Sequence, residues 1–451
     1  MKEYDAIVIG SGCGLNIVSE ALTHDMQVAL VDKGPIGGTC PNLGCIPSKM
    51  LIHAADRVVD AFEAKKLGVT VAVEKVDFKF IMDRMRRWVK SNQAQMRKGL
   101  THAHGLDFYE GEGRFVGEYT MEVNGERIKG KKIFIASGSR PIVPPIKGLD
   151  TIDYLTNATL LEVKNCPQSL IIIGGGYIAV EYGHFFAAMG SKVTILEMAD
   201  RLVLSEEPEI AMLIQEELQH RMEVRTKSQV QEFRQSDTGV TVVTSEAGVH
   251  KEYDAESVLI ATGRRSNADI LHVDKTGVEV DSRGWVQVNE YLETSKKNIY
   301  AVGDANGIQM FTHVANRESA LAADAAVHGT RLKMDYSAAP HAVYSHPHIA
   351  SVGLREEEAR KSHKIRVGQA RYFEVAQGEA MLEKNGFAKA IIEDGTDKLL
   401  GFHVIGPYAP IIIQEVVSAM ANGGDISQIG RTMHIHPAIT ELVPRVLSEA
   451  A

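Results

Sequence analysis

Two stretches of the chain repeat one alternation of apolar runs and glycine turns. The first runs Ala6-Ile7-Val8-Ile9, then Gly10-Ser11-Gly12, then a helix-like stretch to about Thr23, then Gln27-Val28-Ala29-Leu30-Val31 ending at Asp32. The second runs Leu170-Ile171-Ile172-Ile173, then Gly174-Gly175-Gly176, then a helix-like stretch to about Met189, then Lys192 to Leu196 ending at Glu197. Strand, glycine turn, helix, strand and terminal acid make a dinucleotide-binding βαβ unit. The acid follows the last glycine of each turn by 20 and 21 residues, close to the roughly 20 such units use. The glycines let the backbone approach a pyrophosphate, amides at a helix N-terminus hold its charge, and the acid accepts ribose hydroxyls.

Between the repeats, residues 76 to 103 read as a helix, with Ile81, Met85, Trp88 and Met96 near helical spacing. Arg84, Arg86, Arg87, Lys90, Arg97 and Lys98 lie between them and read as a solvated face. From about Ala338 the pattern becomes alternating strands, such as Gly386 to Ile392, with the last helices starting near Pro410. That is a third, α+β, region.

Bulk properties narrow the classes. A chain of 451 residues exceeds one ordinary core and suggests two to four domains. Its net charge of -9 argues against a broad nucleic-acid face. The chain enters an apolar strand directly after Met1-Lys2-Glu3-Tyr4, and stretches such as Leu170 to Val180 fall short of the ~18 residues of a membrane span. The expectation is a cytoplasmic protein with no membrane partner. Four cysteines are too few for a stapled secreted protein.

Cys40 and Cys45, in the run Gly37-Gly38-Thr39-Cys40-Pro41-Asn42-Leu43-Gly44-Cys45-Ile46-Pro47-Ser48-Lys49, are within disulfide reach. Taken alone they could be a staple, half a zinc site or a catalytic pair; zinc would need two more ligands, and only Cys13 and Cys166 remain as thiols. The whole run resembles the redox motif of the class I pyridine nucleotide–disulfide oxidoreductases, the family of dihydrolipoamide dehydrogenase and glutathione reductase. Met433-His434-Ile435-His436-Pro437-Ala438-Ile439-Thr440-Glu441 resembles that family's C-terminal His-Pro signature.

The resemblance implies an α/β fold: two Rossmann-like dinucleotide-binding domains, for FAD and NAD, and a C-terminal α+β dimerisation domain. The expected boundaries are 1-145 with 265-335 for FAD, 146-264 for NAD and 338-451 for the interface. Cys45 would be the flavin-facing thiolate, Cys40 the interchange thiol, His436 the acid–base and Glu441 its orienting partner. Lys49 and Glu181 would pair beside the flavin, and Tyr177 would cover the nicotinamide pocket. A helix starting near Cys45, with Pro47 in its first turn, would favour the thiolate. The implied cofactor-binding positions are Gly10, Gly12, Gly14, Asp32, Lys33, Gly38, Thr39, Gly113, Ala136, Ser137, Gly138, Gly174, Gly176, Tyr177, Ile178, Ala179, Glu197, Gly263, Gly303, Asp304, Thr312 and His313. The active site would need a homodimer, with His436 supplied by the other subunit.

Departures qualify the match. Leu15 occupies the third glycine position and should widen the helix–strand contact; Cys13 reads as a small filler rather than a third redox thiol, and Cys166 as an inert thiol. His341, His346 and His348 form a tempting cluster, but no metal is expected. Glu197 should favour NADH over NADPH by at least about tenfold. Pro47-Ser48-Lys49 and Glu197 favour a dihydrolipoamide dehydrogenase, with lipoamide or a lipoyl-bearing protein as partner. Tyr177 is glutathione reductase-like, whereas Phe311 to Asn316 and Ile435 to Ala438 look like mycothione reductases. Glutathione is disfavoured because Asn16 to Thr23 carries no arginine, and mercuric reduction because the chain ends without a cysteine pair. The alternatives are reduction of another low-molecular-weight disulfide, an NADH oxidase or quinone reductase, and a largely structural subunit.

Overall fold

The computed structural model describes residues 1–237 and 239–450. The chain divides into two compact units, one of residues 1–48, 82–142 and 263–335, the other of 49–81, 143–262 and 336–451.

The first unit is built on a seven-stranded sheet. Leu106–Glu110, Val28–Asp32, Lys2–Ile9 and Glu126–Ile135 lie side by side and parallel, and Ile299–Ala301 pairs with Glu126–Ile135 in the same sense. Thr120–Val123 and Gly113–Gly117 continue antiparallel. Ala6 to Ile9 and Val28 to Val31 are all buried. Such unbroken apolar runs belong to parallel strands covered on both faces. Helix Gly14–Thr23 follows the first strand and buries Ile17, Val18 and Ala21; helix Thr312–Val327 packs beside it.

The second unit holds a parallel sheet, in order Glu223–Arg225, Lys192–Leu196, Ser169–Ile173 and Ser257–Ile260. A three-stranded antiparallel sheet, Ser228–Ser236, Gly239–Glu246 and Val249–Ala255, belongs to the same unit. Its C-terminal part is a five-stranded antiparallel sheet in order Pro340–Val343, Ile349–Gly353, Leu399–Ile405, Phe387–Glu393 and Ile365–Arg371. Helices Ala409–Ala421 and Leu442–Glu449 pack against it. The alternation expected near residue 386 is absent, because Leu399–Ile405 is buried along its whole length and Phe387–Glu393 all but its last residue. Lys389 and His403 account for this: buried as well, they meet the carboxylates of Glu207 and its neighbours.

The helix read over 76 to 103 spans Phe78–Thr101. Phe78, Met82 and Met85 are its buried positions, and Arg84 and Arg86 are half-buried rather than fully solvated. No described helix is long and apolar enough to cross a membrane.

Candidate active site

In the first unit the redox motif folds into two helical pieces. Gly37 and Gly38 take φ of 94° and 70°, open to glycine at little cost. A Cβ on Gly38 would lie 2.8 Å from the Cα of Gly12, so these glycines let the redox loop touch the dinucleotide loop. Thr39–Leu43 then forms a short helix carrying Cys40, and Cys45 opens helix Cys45–Glu63 with Pro47 as its third residue. A sulfur at a helix N-terminus is where amide dipoles favour the anion. Cys45 Sγ lies 3.3 Å from Thr312 Oγ1. Asn42, which the motif reading passed over, is buried and pins the loop. Its Nδ2 donates to Ile36 O and Gly38 O, both at 2.8 Å, and its Oδ1 accepts from Gln93 Nε2 at 2.7 Å. An asparagine four residues after Gly38 was the only sequence signal for it.

Gly10 has φ 103°, and a Cβ there would meet Ala136 O at 2.2 Å. At Gly14 a Cβ would stand 2.8 Å from Val8 Cγ1. The close helix–strand approach therefore lies at Gly14, one residue before the position assigned to it, which corrects the widening expected of Leu15. Asp32 ends its strand with Oδ2 accepting the Ser11 N–H at 2.5 Å and Oδ1 the Gly34 N–H at 2.6 Å. Asp304 accepts from Ser139 Oγ at 2.5 Å, beside Arg264 at 3.6 Å. Ser137 Oγ is buried without a hydrogen-bond partner among the described residues. An orphaned hydroxyl next to a glycine turn is what a dinucleotide would satisfy. These residues fit FAD.

Other predicted positions do structural work. Gly113 is closed in by Met121 and Val31, Lys33 pairs with Glu112 at 3.3 Å, and the His313 ring stacks on Phe311. Gly303 has φ 64° and abuts Cys13 Sγ. Burial, with Glu318 and Asp304 adding, pushes the Cys13 thiol up to about 12, so it stays protonated. Cys166 rises to about 11 for the same first reason.

The second unit repeats the glycine construction. Gly174 has φ 109°, and a Cβ would meet Ala261 O at 2.4 Å. Gly176 precedes helix Tyr177–Ala188, and a Cβ there would project into open space, leaving room for a pyrophosphate at the helix start. Tyr177 is exposed, Ile178 half-buried and Ala179 buried. Glu197 Oε1 accepts the Ala199 N–H at 2.6 Å. These residues fit NAD. On the same helix, Glu181 is buried, with Lys49 Nζ 2.9 and 2.8 Å from its two oxygens. Tyr344 is a second participant the sequence reading missed. Its N–H donates to Glu181 Oε1 at 3.0 Å, and its ring lies 4.7 Å from the Lys49 ammonium.

His436 Nδ1 and Glu441 Oε1 are 2.9 Å apart, and Glu441 Oε2 accepts the Ala438 N–H at 2.9 Å. That N–H, then His436, holds the Glu441 carboxyl below its ordinary range. The imidazole is largely exposed, and Nδ1 is the ring nitrogen that meets Glu441. His341, His346 and His348 do not converge. His341 goes to Glu206 at 2.6 Å, His346 lies between Asp60 and Glu63, and His348 is 4.0 Å from Asp56.

Residues 4–319 match the pyridine nucleotide-disulphide oxidoreductase family, and 339–446 its dimerisation domain. The chain is 32% identical to a mycothione reductase of Mycobacterium tuberculosis over 99% of each chain. It is 34% identical to a dihydrolipoyl dehydrogenase of Geobacillus stearothermophilus, over 98% of this chain and 94% of that one. It is also 32% identical to a mercuric reductase of Staphylococcus aureus, over 95% and 79%. Among solved structures, the HOCl-induced flavoprotein disulfide reductase RclA of Escherichia coli superposes with a TM-score of 0.88 at 28% identity, covering 99% of each chain. The chain belongs to the class I pyridine nucleotide–disulfide oxidoreductases, a family of FAD- and NAD(P)-binding enzymes.

Proposed function

We propose that this is an NAD-linked dihydrolipoamide dehydrogenase, working as a homodimer, with residues 1-145 and 265-335 holding FAD, 146-264 holding NAD and 338-451 forming the interface. The observation that carries the reading is the His436–Glu441 pair, an imidazole held by a carboxylate that the Ala438 N–H already fixes. FAD, when bound, carries electron pairs between the dithiol and the nicotinamide. Dihydrolipoamide, as a thiolate, attacks Cys40 Sγ of the Cys40–Cys45 disulfide; the S–S bond breaks and Cys45 leaves as a thiolate. His436 of the partner subunit takes the proton of the second substrate thiol. That thiol then displaces Cys40, releasing the cyclic disulfide and leaving both cysteines reduced. Lys49 and Glu181 hold each other in place, Tyr177 gates the nicotinamide pocket, and Glu197 selects NAD by its ribose.

The test is NAD⁺-dependent oxidation of dihydrolipoamide by the FAD-loaded enzyme, followed as NADH formation. Brisk turnover supports the reading. Negligible turnover, with NADH still bleaching the flavin, refutes lipoamide as the substrate. A second reading, reduction of another small disulfide, is favoured by Tyr177 and by the end-to-end match to a mycothione reductase. NADH oxidation driven by a mycothione-type disulfide would select it. Mercuric ion and Cu(II), which appear in the names of relatives, are further oxidants to assay.

A further inference from the structure

We propose that Glu20, His24 and His328 bind one divalent cation of the zinc class, joining the C-terminal ends of two helices in the first unit. Glu20 and His24 stand one turn apart, His24 being the C-cap of helix Gly14–Thr23. His328 caps helix Thr312–Val327. Glu20 Oε1 lies 2.9 Å from His328 Nε2 and 3.6 Å from His24 Nδ1, and the two rings meet edge-on with centroids 4.5 Å apart. All three ligand atoms lie within 4.8 Å of one another.

Tetrahedral zinc, with bonds of about 2.0–2.1 Å, holds its ligand atoms roughly 3.3 Å apart. The two separations from Glu20 straddle that value and the third lies within 4.8 Å, so the cation draws in side chains that are already adjacent. Two imidazoles and one carboxylate suit Zn²⁺, Co²⁺ or Ni²⁺ rather than Ca²⁺ or Mg²⁺. The setting favours a cation, because two helix C-termini bring partial negative charge to the same place as the carboxylate. His24 Nδ1 also lies 3.1 Å from Glu20 O and 3.0 Å from Thr23 Oγ1, contacts that the cation replaces when it displaces the Nδ1 proton. Three protein ligands on an open surface leave the fourth position to water. Both helices open beside the glycine turns at Gly12 and Gly303, so a bound cation stabilises this unit by mass action.

The test uses oxidised, FAD-loaded enzyme cleared of metal by a chelator. It is titrated with Co²⁺, followed by the d–d bands beyond the flavin absorption, and with Zn²⁺ by calorimetry. The expected result is one equivalent per chain, weakened at least about tenfold in His328→Ala and in Glu20→Gln. Zn²⁺ should also raise Tm more in the wild type than in either variant. Absence of uptake by the wild type, or uptake unchanged in both variants, overturns the proposal.

Discussion

Acidification from neutral pH should weaken the fold through His184, and the structure sets the size of the effect. His184 is fully buried on helix Tyr177–Ala188. Arg221 Nη1 donates to its Nδ1 at 2.7 Å, so Nε2 carries the proton and donates to Asp56 Oδ1 at 2.9 Å. Burial, aided by the Arg221 charge and opposed by Asp56, pushes the imidazole down to about 4. An unfolded histidine titrates near 6.5. Between those values the unfolded chain binds a proton that the folded one refuses. The contribution is therefore complete above about pH 6.5 and is lost as pH falls through about 4. A gap of about 2.5 pH units, at about 1.4 kcal/mol each, amounts to about 3 kcal/mol. His184→Gln removes the titration while leaving other groups in place. Urea unfolding at about pH 7 and about pH 4.5 should show the wild type losing some 2.5 kcal/mol more than the variant. Equal losses in the two proteins would refute the argument.

Other consequences follow from the site. His436→Gln should leave NADH-driven flavin reduction intact in stopped-flow traces while slowing disulfide turnover by ~10²-fold or more; equal losses in both steps would remove His436 from proton transfer. Gly174→Ala places a Cβ 2.4 Å from Ala261 O at a φ of 109°. It should weaken NADH binding at least about tenfold with FAD content unchanged, since strain and a displaced strand end together exceed about 1.4 kcal/mol. Gly10→Ala, with a Cβ 2.2 Å from Ala136 O, should reverse the pattern and lose FAD. Steady-state kcat/KM should favour NADH over NADPH at least about tenfold, and Glu197→Gln should narrow that ratio; equal use by the wild type would count against the ribose role.

The sequence by itself determined the two βαβ units, the redox motif and the His436–Glu441 pair. Each is set by local rules: strand runs, glycine turns, and partners within five residues of one another. The family assignment followed from those local signatures. Only the tertiary structure decided which distant groups meet. Asn42 owes its role to Gln93, Glu181 takes the Tyr344 N–H in addition to the Lys49 expected of it, and His184 is sealed between Asp56 and Arg221. The histidines near residue 345 parted, His341 to Glu206 and His346 and His348 to the acids of helix Cys45–Glu63, because strand and loop geometry, not spacing, aims side chains. The same cause hid Glu20 and His328, which lie 308 residues apart in sequence and 2.9 Å apart in space. Leu15 was misread for a related reason: a motif names the position that is usually glycine, but only packing shows which Cβ would strike the strand, and here that position is Gly14.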